Sequence, residues 1–111
     1  MNQLITDQMV HAAFDWLEEN TDRAAHAKAM RVKAEYATKR ARAQAFLDAE
    51  GTVAEREARA FMSDSVKDAM LAEVEAVEAD EKMRGRRDKC SVIIDAWRTE
   101  QSNLRTMGRA A

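Results

Sequence analysis

The clearest order in the chain lies in its second half. Ala69, Ala72, Ala76, Ala79, Met83, Arg86, Cys90, Ile93, Trp97, Glu100, Leu104 and Met107 follow one another at unbroken alternating spacings of three and four. That period keeps one stripe of a helix turned toward a partner helix, the requirement of a left-handed coiled coil. Arg86 and Glu100 are its two polar interruptions. In the first half Ala27, Met30, Ala34, Ala37, Ala41 and Ala45 share one side of a second helix. Small residues on both stripes let two helix axes approach closely, most easily when they run antiparallel beside a short connection. The pattern predicts an all-α fold: a long antiparallel helical hairpin with a short additional helix after the turn.

The punctuation places that turn near residues 50–52. Gly51 suits the position just past a helix C-terminus, where a left-handed backbone costs glycine little. Thr52 with Glu55 three residues on reads as a capping box. One helix then ends near Ala49, a short one runs from Val53 to Met62, and a long third runs from about Val66 to Met107. Ser63-Asp64-Ser65 offers caps between the second and third helices, and a continuous helix through it stays open. Asn20-Thr21-Asp22 is a weaker mark. It reads either as a kink or as the start of a separate helix after an N-terminal one from Thr6 to Glu19.

Composition fits. Proline is absent, glycine occurs three times, and alanine, glutamate, arginine and lysine dominate. A chain of 111 residues implies one domain, and 5% aromatic residues imply a thin core, a seam between helices. A thin core in a short chain raises the expectation of a homo-oligomer, a dimer or larger. The net charge of −2 shows no overall nucleic-acid or membrane signature. Neither a spanning apolar stretch nor a signal-peptide pattern occurs, and the single Cys90 excludes an intrachain disulfide, so a cytoplasmic setting is expected. Charge is blocked along the chain. Arg23 to Arg42 is basic except for Glu35, and Asp64 to Glu81 is acidic except for Lys67. Folding at Gly51 opposes the two blocks, and further out sets Asp15, Glu18 and Glu19 toward Lys82, Arg84, Arg86 and Arg87.

Catalytic chemistry finds little support. His11 and His26 are 15 residues apart, far from the i, i+4 spacing of a helical metal pair. Cys90 sits on the heptad stripe and reads as a small buried hydrophobe. The paired carboxylates read as solvated faces, since acid–base work needs an enclosed pocket. No catalytic, cofactor or small-molecule site is expected. Two binding readings remain. Met9, Val10, Phe14, Trp16 and Leu17, with Val92, Ile93, Ile94 and Trp97, either close the open end on each other or form an association surface. In the second case Phe14, Trp16, Leu17, Ile93, Ile94 and Trp97 are its anchors. Arg84, Arg86 and Arg87, with Arg98 and Arg105, are the candidates for phosphate contact.

Ala49-Glu50-Gly51-Thr52-Val53-Ala54-Glu55-Arg56-Glu57-Ala58-Arg59-Ala60 resembles the turn of a group of small helical proteins of tailed bacteriophages and prophages. Ala96-Trp97-Arg98-Thr99-Glu100-Gln101-Ser102-Asn103-Leu104-Arg105 resembles the C-terminal part of the same group. The resemblance covers roughly the last two-thirds of the chain. It implies an accessory role near phage DNA recombination and replication, with a phage or host protein of those processes as partner, and supplies no catalytic residues. The function expected is a non-enzymatic helical interaction or assembly protein. The alternatives are direct nucleic-acid binding through the distal arginines, and inhibition of a host protein.

Overall fold

The computed structural model describes residues 4–110. It consists of α1 (Asp7–Asp48), α2 (Val53–Phe61) and α3 (Asp64–Ala110), with no strand among the described residues. The long helices α1 and α3 pack against each other and the short α2 lies between them in sequence, the hairpin expected from the heptad pattern.

The helix boundaries follow local chemistry. Thr6 Oγ1 accepts from the Met9 amide at 3.2 Å and starts α1. Thr52 Oγ1 accepts from the Glu55 amide at 3.2 Å, the first half of the capping box. Gly51 takes φ +120°, where a Cβ would stand 2.6 Å from Glu55 Oε2. Ser63 closes one helix and opens the next: its hydroxyl lies 2.8 Å from the Ala60 carbonyl and 3.4 Å from the Val66 amide. The break at Ser63–Ser65 is therefore real. The mark at Asn20–Asp22 is not one, because α1 runs through it without interruption. Asn20 Nδ2 donates to the Trp16 carbonyl at 2.9 Å and Thr21 Oγ1 to the Leu17 carbonyl at 2.6 Å, so both side chains bond back into the helix instead of capping a new one.

The buried stripe of each long helix differs from the apolar pattern by one position. On α1 the shielded residues are Val10, Ala13, Leu17, Asn20, Ala24, Ala27, Arg31, Ala34, Thr38, Ala41 and Ala45, a heptad row without a break. Arg31 and Thr38 take the places expected for Met30 and Ala37, which are exposed. On α3 the row from Ala69 through Ala76, Met83 and Cys90 to Trp97 holds. The alternate row is Val66, Glu73, Asp80, Ile94 and Gln101, leaving Ala72, Ala79 and Arg86 in solvent. Ile93 and Glu100 are half-buried beside it.

The chain divides into two compact units, Met1–Ala24 with Met83–Ala111, and Ala25–Lys82. In the first, Ala13, Cys90 and Ile94 form a buried cluster against which Trp16, Leu17 and Ile93 pack. In the second, Val66 is fully buried and Ala60 nearly so. There the polar seam residues are paired. Arg31 reaches Asp80 Oδ2 (3.1 Å), Glu81 Oε1 (2.9 Å) and Glu35 Oε1 (3.3 Å). The Thr38 hydroxyl lies 3.2 Å from the Ala34 carbonyl and 3.3 Å from the Ala69 carbonyl. Among the described residues no buried side-chain nitrogen or oxygen lacks a hydrogen-bond partner.

Candidate interaction surface

The residues anticipated as association anchors in the first unit are largely spent on packing within it. Ile94 is 6% exposed, and Trp16, Leu17, Ile93 and Trp97 are half-buried. Ile94 thus lies in this unit's buried cluster with Ala13 and Cys90. Phe14 remains 48% exposed, and Val92 likewise faces solvent. Trp97 Nε1 donates to Asp7 Oδ1 at 3.4 Å, and the Ile5 amide donates to Glu100 Oε2 at the same distance. These contacts tie the start of the chain onto α3, and they give Glu100 a structural task on a stripe it otherwise interrupts.

The arginines singled out for phosphate contact divide. Arg86, Arg87 and Arg105 are exposed, Arg84 is half-buried and engaged, and Arg98 Nη1 lies 4.0 Å from Asp95 Oδ1. An exposed pair at that distance is weak.

The larger uncovered apolar surface is in the second unit. Ala25, Ala29, Val32, Tyr36, Ala43 and Leu47 recur on α1 at spacings of 4, 3, 4, 7 and 4, interrupted at Lys39–Arg40, and are all exposed. At about 100° per residue they fall on the side of α1 opposite the seam formed by Ala27, Arg31, Ala34, Thr38, Ala41 and Ala45. One helix therefore carries two apolar-to-small stripes, and the hairpin uses one. Lys28, Lys33, Lys39 and Arg40 rim the free stripe, and the Lys39 ammonium lies 5.8 Å from the centroid of the Tyr36 ring.

Toward the turn the stripe leads into a groove. Arg42, Ala43, Phe46, Leu47, Glu57 and Phe61 line about 580 Å³ between α1 and α2. Arg56 fastens α2 there. Its Nε donates to the Phe46 carbonyl at 3.1 Å and its guanidinium sits 4.2 Å from the Phe46 ring centroid. A cation is favoured at this position because the last carbonyls of α1 have no partner within the helix. Phe61 also lines a second groove of about 340 Å³, with Met62, Lys67, Met70, Leu71 and Val74. Leu71 and Val74 are 56% and 63% exposed, and α3 flanks them with Asp68, Glu75 and Glu78.

The residues of the free stripe were present in the sequence, but attention went to the seam side, where Met30 and Ala37 stood in for Arg31 and Thr38. Once Arg31 and Thr38 are assigned to the seam, the second stripe becomes visible from spacing alone.

Among the described residues no group of three or more His, Cys, Asp or Glu side chains could hold a metal ion, and no helix is long and apolar enough to cross a membrane. No known protein family matches the chain, and no curated protein or solved structure is detectably similar to it.

Proposed function

We propose that the protein is a non-enzymatic helical assembly module that binds another protein helix along the free stripe of α1. The observation that carries this is the second apolar-to-small stripe on α1. Ala25, Ala29, Val32, Tyr36, Ala43 and Leu47 extend over about 33 Å of helix and are exposed. Rows of this length and period exist to pack against helices, and small residues among larger ones let a partner axis come close. Tyr36 supplies a rigid amphipathic anchor of the kind that concentrates binding energy. The likeness of the turn and C-terminal stretches to phage helical proteins suggests a setting for the role, as an accessory factor in DNA recombination or replication that works through a protein partner.

Light scattering, together with fluorescence anisotropy of labelled single- and double-stranded DNA at low and physiological salt, tests this. The expected result is a protein complex that Val32→Glu/Tyr36→Glu abolishes without loss of helix content, and no tight DNA binding. Micromolar DNA binding that weakens steeply with salt and disappears in Arg98→Ala/Arg105→Ala would overturn it and assign the chain to nucleic acid.

A further inference from the structure

The assembly reading leaves open what covers the stripe, and the same unit carries a chemical answer. The α1 stripe is rimmed by Lys28, Lys33, Lys39 and Arg40. Between Ala25 and Leu47 the only acid is Glu35, and it is held by Arg31 at 3.3 Å. An occupant of this stripe must be an amphipathic helix with acidic flanks. The chain itself has one: Leu71 and Val74 stand exposed on α3 with Asp68, Glu75 and Glu78 around them, against Lys67 on the same groove and Lys82, which pairs with Glu78 at 2.9 Å. The occupant and its site are complementary in apolar content and opposite in charge.

We infer that a second copy of this chain is the occupant, with the α1 stripe of one copy lying against the Leu71–Val74 face of α3 of the next. The inference rests on the assembly reading above and adds the partner and the mode. Pairing α1 on α1 would set the Lys28, Lys33, Lys39 and Arg40 rows against each other, and pairing α3 on α3 would oppose Asp68, Glu75 and Glu78. Both place like charges together, which costs association free energy, whereas the crossed pairing places opposite charges together. Phe61 lines the groove beside α1 and the groove beside α3. The α1 stripe points away from the seam that α3 covers, so the contact is heterologous, and repeated it adds copies head to tail.

Charge reversal on each side tests the pairing, with sedimentation velocity of the full chain as readout and circular dichroism as the control for folding. Lys28→Glu/Lys33→Glu and Glu75→Lys/Glu78→Lys lie outside the seam, so each variant is expected to keep its helix content. Each is expected to weaken self-association about tenfold or more. An equimolar mixture of the two is expected to recover it, because each variant then meets its complement. A Glu75→Lys/Glu78→Lys chain that associates as the wild type does would overturn the crossed pairing and point to α1 on α1, with the assembly reading intact. A wild-type chain that stays monomeric at high micromolar concentration, yet binds a different protein in a Tyr36-dependent way, would overturn the second copy as occupant and keep the assembly reading. Tight, salt-dependent DNA binding in place of any association would remove both.

Discussion

Arg31 Nη1 stands 3.1 Å from Asp80 Oδ2, and the two residues occupy the seam of α1 and the seam of α3. The Asp80 side chain is 2% exposed and that of Arg31 is 27% exposed. Hydrogen bonds that Arg31 donates to Asp80 first, then Glu81 and Glu35, raise its pKa above the ordinary value, so the guanidinium is held in its charged form. A buried charge that loses one of its partners is penalised, while two charges replaced together by apolar side chains often are not. Arg31→Leu should therefore lower the thermal midpoint more than Asp80→Leu, because Arg31 can turn to water and Asp80 cannot. The double variant should be more stable than Arg31→Leu alone. Additive losses in thermal unfolding would mean that the two residues act independently.

The two apolar regions should respond differently to substitution. Ile94 is 6% exposed in the cluster with Ala13 and Cys90. Ile94→Ala should cost roughly 2–5 kcal/mol in denaturant unfolding. Tyr36, 60% exposed, packs on nothing that the fold requires. Tyr36→Glu should change monomer stability by about 0.5 kcal/mol or less. A large loss at Tyr36 would show the free stripe to be part of the core.

The turn should be sensitive to the backbone of Gly51 and to the side chain of Thr52. Gly51→Ala forces a Cβ into a positive-φ position that already crowds Glu55. It should destabilise by more than about 1 kcal/mol. Thr52→Ala removes the oxygen that accepts the Glu55 amide and should cost about 1 kcal/mol. Equilibrium unfolding of both variants checks the order.

Cys90 is 8% exposed within the first unit's cluster. Its thiol should react with a water-soluble disulfide reagent only as fast as that unit opens, far more slowly than a cysteine introduced by Ala29→Cys on the free stripe. Equal rates would show that the cluster is open in solution.

An uninterrupted α1 also has a kinetic signature. Amide exchange at Asn20, Thr21 and Asp22 should be as slow as at the helical residues on either side. A local maximum there would restore the break that those residue types suggest.

Much of the fold was legible in the chain. Gly51, Thr52 and Glu55 mark the turn, because a positive φ and orphan amides demand particular residue types within a few positions. Ser63 marks the second boundary for the same reason. The absence of proline and the heptad beat announce long helices, and the basic and acidic blocks favour antiparallel pairing. At residues 20–22, however, the same kinds of side chain satisfied carbonyls one turn back, an outcome that composition does not distinguish from a cap.

The residues alone determined the helices, their order and the place of the turn, since those depend on spacing and on contacts within a few positions. Which side of each helix is buried was decided only by the tertiary structure. An apolar count favoured Met30, Ala37, Ala72 and Ala79 for the seam. The folded chain buries Arg31, Thr38, Glu73 and Asp80 more deeply, and Arg31, Thr38 and Asp80 complete their polar pairing across the hairpin. Arg31 and Thr38 reach partners on another helix, 49 and 31 residues away, a pairing that spacing along the chain does not reveal. Val32, Tyr36, Leu71 and Val74 stay in solvent outside that seam, and with them the surface through which the protein is proposed to act.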